Sequence, residues 1–362
     1  MPATHPPRVH PRPPSRPLLP SRRPRVRLRT TALALSAALA LAGCLTGCSG
    51  GGSGADAKVT GPISLTYLQK QGDQQYFKDE AAGAKARAAQ LGVTLKMVDL
   101  GTDADRTVAE ERAAIAAKSQ GLIVVAPDPT VGPQVVQIAK DAKVALLSSD
   151  DELCGLSTDP VACAHQDLVP RVGFSGDQLG SAVGQRAAQE YRQAGWTPAD
   201  TRILSAWQPD VSVCADRVNA AAEAFFTAAG RPPLTDLPTD NTTTGAQRQA
   251  ARIIAATPGV KHWLVWGCND ENVQGAITAL QQAGVGTGDV IGIGLGAYLA
   301  CQDWGTGQPT GMRAALYLNG SDVGALAVQT MVDKLRTGKA FPAESLTQAT
   351  MVDAGSKPGG CA

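Results

Sequence analysis

The feature that most constrains this chain is an alternation that begins near residue 60. Short apolar, β-rich runs at 63–68, 93–98, 122–125 and 144–147 are separated by longer Ala- and charge-rich stretches at 76–90, 107–119 and 134–142, which carry helical spacing. The pattern restarts with a strand at 172–174, a helix over 179–194, a strand at 202–206 and a helix over 215–229. It continues through a helix at 246–256, a strand at 263–266, a helix at 272–283 and a strand at 290–293. Repeated strand–helix units require parallel sheets covered by helices on both faces. Two such runs, broken near Pro170, predict an α/β protein of two doubly wound parallel-sheet lobes. Ligands of such sheets bind beyond the carboxyl ends of the strands. The loops at those positions are polar: Lys70-Gln71-Gly72-Asp73-Gln74-Gln75, Asp150-Asp151, Ser175-Gly176-Asp177, the segment 210–217, and Cys268-Asn269-Asp270.

The first 48 residues have a different character. Arg22, Arg23, Arg25, Arg27 and Arg29 precede an apolar stretch over 33–45. About a dozen apolar residues is too short to span a bilayer, which needs ~20, but suits an export signal. Leu45-Thr46-Gly47-Cys48 resembles the lipobox of bacterial lipoproteins, in which the cysteine becomes the lipidated N-terminus. Leu41-Ala42-Gly43-Cys44 fits the same pattern, so Cys44 is the alternative anchor. Cys48 is favoured because Ser49-Gly50-Gly51-Gly52-Ser53-Gly54, a composition that stays a flexible coil, follows it directly. The expectation is a signal peptide over 1–48, a tether over 49–60, and an extracytoplasmic domain held to the cell membrane by its lipid alone.

Charge and cysteine usage agree with export. Eight of the 33 basic residues leave with the leader and no acid does, so 25 face 32 and the mature chain is near −7. Nucleic-acid binding wants the opposite sign and a basic patch. Six cysteines remain: Cys154, Cys163, Cys214, Cys268, Cys301 and Cys361. An even number in an exported chain reads as disulfides. Cys154 and Cys163 bracket one short loop and are the expected pair; the pairing of the others stays open. No C-x-x-C spacing suggests zinc, and only His165 and His262 remain after the leader. No metal site, cofactor or His-dependent triad is therefore expected.

Each polar motif also has a plainer reading. Asp150-Asp151 could serve glycoside cleavage, but neighbours on an extended stretch point apart, which favours ligand binding over catalysis. Gly292, Gly294 and Gly296 lack the last glycine of a dinucleotide loop. Asn269 is as suited to capping the following helix as to touching a ligand. Trp207 and Trp266 fit a lobe core as well as a ligand platform.

Several of these stretches, taken together, are familiar. Ala126-Pro127-Asp128-Pro129, Ser149-Asp150-Asp151, Pro258-Gly259-Val260-Lys261-His262-Trp263-Leu264 with Cys268-Asn269-Asp270, and Asp289-Val290-Ile291-Gly292-Ile293-Gly294 resemble the type I periplasmic sugar-binding proteins, nearest to their arabinose-binding members. The resemblance runs from about residue 63 to residue 354. It implies lobes joined by three crossings near Pro170, Thr310 and Phe341: one lobe over 61–170 and 311–340, the other over 171–310 and 341–362.

The resemblance also implies site residues. Lys70 would donate to a sugar hydroxyl, Tyr76 and Phe77 would pack on the ring, and Asp150 and Asp151 would accept from hydroxyls near the anomeric carbon. Phe174 would shape pocket specificity, while Arg217 and Asn269 would contact the sugar from the second lobe. Gln74 stands where the family has a glutamate, and Gly296 where it has an asparagine. The expected ligand is thus an arabinose-like pentose or a hexose. The expected partners are an ABC permease and its ATPase, with the binding protein a monomer and not an enzyme. A sugar sensor, or an exported carbohydrate-active enzyme, are the alternatives. Independently of family, carboxylates that accept, Lys and Arg that donate, and aromatic faces suit a neutral polyol.

Overall fold

The alternation seen in the sequence is realised as two six-stranded sheets. The structure, a computed structural model, describes residues 58–153 and 169–357. Both lipobox cysteines, the tether to residue 57 and the expected Cys154–Cys163 pair lie outside the described residues.

The first lobe contains β1 (Ser64–Lys70), α1 (Gln75–Leu91), β2 (Thr94–Gly101), α2 (Ala104–Ala116), β3 (Gly121–Val124), α3 (Gly132–Ala142), β4 (Ala145–Ser149) and β5 (Arg171–Gly173). The second contains α4 (Gly176–Gln193), β6 (Thr201–Trp207), α5 (Ser212–Ala229), β7 (Leu234–Pro238), α6 (Thr243–Ala256), β8 (His262–Gly267), α7 (Asp270–Gln282), β9 (Val290–Gly296), α8 (Tyr298–Gly305) and β10 (Met312–Tyr317). The chain then forms α9 (Gly320–Thr337), β11 (Glu344–Leu346) and β12 (Thr350–Val352). The sheets run β2-β1-β3-β4-β5-β11 and β7-β6-β8-β9-β10-β12. All described pairings are parallel except β10 with β12.

Central strands are buried on both faces, so they read as continuous apolar runs rather than alternating ones. All of β9 and β3 is buried, while the edge strand β2 is mostly exposed or half-buried, with only Leu100 fully buried. Edge strand β7 ends in Pro238, a residue that edges tolerate because one side of the backbone needs no donor. Side-chain caps start α7 and α9. Asn269 Oδ1 accepts from Asn272 N at 3.0 Å to open α7, and Asn319 Oδ1 accepts from Ser321 N at 3.1 Å to open α9.

Sheet membership moves the lobe crossings from their expected places. β5 pairs with β4 and β11 in the first sheet, so the first crossing falls at residues 174–175, after Pro170 and past one further strand. β10 pairs with β9 in the second sheet, and α9 packs on α1 and β4 in the first, which places the next crossing at residues 318–319 rather than Thr310. The last joins β11 to β12, at residues 347–349, beyond Phe341. Hydrogen-bond demand accounts for the last of these: β5 and β10 would each present an unpaired edge, which β11 covers in the first sheet and β12, reached across the final crossing, covers in the second.

Candidate ligand-binding site

A cavity of about 260 Å³ lies at the carboxyl ends of the strands of both sheets. Lys70 ends β1, Gln74 precedes α1, Tyr76 and Phe77 start α1, and Asp150 and Asp151 follow β4; all six line it. From the second lobe come Cys214 and Arg217 of α5, Asn241 before α6, Cys268 and Asn269 between β8 and α7, and Tyr298 of α8.

The two aspartates have different partners. Asp151 forms an ion pair with Lys70 Nζ, and both side chains are largely buried. The same ammonium stands 5.7 Å from the centre of the Phe77 ring. Asp150 takes a left-handed backbone, φ 60°, a conformation Asp adopts more readily than most residues. Its carboxylate accepts from Tyr76 Oη at 3.3 Å, and its carbonyl accepts from Arg171 Nη1 at 3.0 Å. Arg217 Nη2 approaches Asp150 Oδ1 at 3.7 Å across the cleft, an ion-pair distance too long for a hydrogen bond. Burial, then Asp151, raises the Asp150 carboxyl above its ordinary range, against the pull of Arg217 and Lys70. The Tyr76 hydroxyl is raised by burial and by Asp150.

Behind this half of the site lies a buried hub. Glu80 Oε1 accepts from Tyr67 Oη and from Ser149 Oγ, each at 2.5 Å, while Oε2 accepts from Gln69 Nε2 at 3.0 Å. Burial pushes Glu80 up to about 7. Ser149 and Gln69 directly precede Asp150 and Lys70, so the hub ties the ends of β1 and β4 to α1 beside two residues of the cavity wall.

The second-lobe half is held differently. Cys214 and Cys268 form a disulfide, a pair the sequence reading left open; Cys301 is disulfide-bonded as well. Arg217 Nη1 donates to the Cys268 carbonyl at 3.0 Å, while its Nε is buried with no partner. An unpaired buried guanidinium donor at a cavity wall is a group that a ligand oxygen can satisfy. Asn269 is on the wall, but its amide already caps α7 and donates to the Asn241 carbonyl at 3.0 Å. Asp270 Oδ2 accepts from Leu299 N at 3.1 Å; burial still raises this carboxyl to about 6. Glu271, also on the wall, is raised to about 7 by burial and then by Asp270.

Phe174 is not on the wall. It is 1 % exposed and packed in the hydrophobic core. Trp266 is likewise core, donating to Ser205 Oγ at 3.2 Å. The sequence reading missed Asn241 and Tyr298. A left-handed Asn before a helix marks Asn241, φ 57°, but no local pattern announces that Tyr298 Oη donates to the Leu318 carbonyl at 3.0 Å and turns its ring toward Tyr76, 6.4 Å away. Among the described residues no group of three or more His, Cys, Asp or Glu is placed to hold a metal ion.

Two doubly wound lobes, three crossings and a polar cavity between them define a hinged binding protein. Residues 66–340 match the periplasmic binding protein domain, and the chain belongs to that family. It is 29 % identical over 300 residues to the ABC transporter L-arabinose-binding periplasmic protein of Azospirillum brasilense, covering 82 % of this chain and 88 % of that one. It is 26 % identical over 257 residues to the L-arabinose-binding periplasmic protein of Escherichia coli K12, covering 70 % and 76 %. The fold superposes with a TM-score of 0.67 on an ABC transporter periplasmic solute-binding protein from Actinobacillus succinogenes with bound D-allose, at 19 % identity over 81 % of this chain and 98 % of that one.

Proposed function

We propose that the protein captures a monosaccharide, an arabinose-like pentose or a related hexose, and delivers it to an ABC importer by hinge closure. The observation that carries this reading is the pairing of charged donors with acceptors on the cavity wall. Lys70 pairs with Asp151 within the first lobe, and Arg217 approaches Asp150 from the second, so the site offers both charged donors and charged acceptors to a ligand. A neutral polyol, whose hydroxyls both donate and accept, suits that arrangement, and Tyr76 and Tyr298 supply rings for its C–H faces. Charge-assisted hydrogen bonds of ~1.5–3 kcal/mol each can reach the ~8 kcal/mol of a micromolar complex after ordering costs. The family and the two arabinose-binding relatives support the same class of ligand. Gln74 and Gly296, which depart from the pattern of the arabinose-binding members, leave room for a related sugar.

The protein works as a monomer, tethered through lipidated Cys48 so that the lobes can swing to a permease. Isothermal titration of the purified protein with L-arabinose, D-galactose, D-ribose and D-allose tests the ligand. Saturable binding of at least one is expected, and heat-silent titrations with all four would defeat the reading. For the anchor, Cys48→Ala is expected to release the protein from membranes; release by Cys44→Ala alone would move the anchor there.

A further inference from the structure

The cysteines on the cavity wall do more than staple a loop. Cys214 lies in the first turn of α5 and Cys268 follows β8; they are 0 % and 3 % exposed and both line the cavity. One turn beyond Cys214 along α5 stands Arg217, which donates to the Cys268 carbonyl and has its Nη1 3.6 Å from the Cys268 sulfur. The disulfide and this hydrogen bond therefore close a small ring joining the start of α5 to the end of β8. The Cys214 sulfur in turn lies 3.4 Å from Asn241 Nδ2. Asn241 is bound to the next two side chains: its carbonyl accepts from Asn269, and its Oδ1 accepts from Asn272 Nδ2 at 2.7 Å. The loops after β6, β7 and β8 thus meet on the two sulfurs.

We infer that the Cys214–Cys268 disulfide is a positioning element of the ligand site: it holds Arg217, Asn241 and Asn269 in the arrangement that meets the ligand from the second lobe. The inference rests on the sugar-binding reading above. Arg217 carries the argument, because its remaining donors are aimed by the one carbonyl that the disulfide fixes, and a guanidinium misdirected by an ångström loses a planar contact that rotation does not restore. Linkage makes the effect reciprocal. If the intact bond strengthens ligand binding, bound ligand must equally favour the intact bond. Reduction by a dithiol such as dithiothreitol takes two electrons and two protons from the reagent, which closes to its cyclic disulfide, and leaves two cysteine thiols.

The experiment compares the mature protein with a Cys214→Ser/Cys268→Ser variant, each with and without Arg217→Ala, by isothermal titration with the best-binding sugar of the panel. The expected result is binding weaker by at least about tenfold in the serine variant, with its far-UV dichroism and cooperative unfolding retained. Removing Arg217 from that variant should then cost less than removing it from the parent, because part of its contribution is already lost. Unchanged affinity in the serine variant, or full additivity of the two losses, would overturn the inference. So would a serine variant that no longer folds, if amide exchange of the reduced parent is unchanged at 214–218 and 268–272. Faster exchange at those segments on reduction supports the inference in that case. The exchange measurement needs no ligand, so it also separates failure of this inference from failure of the sugar reading, which shows as an unreduced parent that binds no sugar.

Discussion

Lys70 and Asp151 show how the first-lobe half of the site is both built and exposed to mutation. Their ion pair is buried, so deleting one charge strands the other in a poor solvent for it. Asp151→Asn keeps the side chain's shape and removes its charge. The expected outcome is sugar binding weaker by roughly 1–3 kcal/mol, with a lowered urea midpoint, both read on the same preparation by titration calorimetry and denaturation. Parental affinity would place the ligand elsewhere. Glu111 of α2 is a different case, a fully buried carboxyl with no partner on either oxygen. Burial pushes it from 4.5 to about 8. Between those values the native state holds a proton that the unfolded chain has lost, so stability falls as pH rises through the window. Glu111→Met removes the titrating group at similar volume. The variant's gain in Tm over the parent should be larger at pH 8.5 than at pH 4, and a gain independent of pH in scanning calorimetry would refute the assignment.

At the scale of elements, two helix pairs set the cleft. In one, a Cβ on Gly83 of α1 would fall 2.0 Å from the Ser321 carbonyl of α9; in the other, a Cβ on Gly180 of α4 would fall 2.1 Å from the Arg217 carbonyl of α5. Backbone meets backbone at both crossings, which no larger residue permits without moving a helix. Gly180→Ala must displace α5 at Arg217, a residue of the cavity wall. We expect a stability loss of about 1–3 kcal/mol from overpacking together with weaker sugar binding. Ser181, one position along, is half-buried and meets no such limit, so Ser181→Ala should change neither by much. Paired denaturation and titration curves for the two variants test this; equal effects would show that the helix contact is not what positions Arg217. The strands and helices themselves were legible from residue 63 to 293, though the structure starts α4 and α5 at Gly176 and Ser212, three residues earlier than their periodicity suggests; for α4 the reason is that its Ser175 cap and polar first turn carry no apolar signal. Strand β7 escaped notice, being short, edge-lying and closed by proline.

At the scale of the molecule, contacts already span the cleft. Ser212 Oγ donates to Glu152 Oε2 at 2.9 Å, and Tyr76 meets Tyr298 edge to face. A ligand that adds bonds to both lobes stabilises the closed arrangement by its differential affinity for it. Saturating sugar should therefore lower the radius of gyration in solution scattering. At a hundred times Kd it should also stabilise the native state by about 2.7 kcal/mol, seen as a rise of several degrees in Tm. A rise in Tm without compaction would mean that the ligand binds and the hinge stays still.

The sequence by itself determined the class of fold, the strand-end location of the cleft and most of its first-lobe wall, since these follow from periodicity and from polar residues placed directly after strands. Lys70, Tyr76, Phe77, Asp150 and Asp151 stand within a few residues of strand ends, where local pattern and position coincide. Only the tertiary structure decided which sheet β5, β10 and β11 complete, which cysteines meet at the cavity, that Phe174 turns into the core, and that Asn241 and Tyr298 reach the wall. Each of those depends on partners distant in the chain: a strand edge to be paired, a sulfur 54 residues away, a carbonyl to be satisfied across a helix. Periodicity records the face a residue presents to its own element, whereas a site between two lobes is made by what the other lobe brings to it.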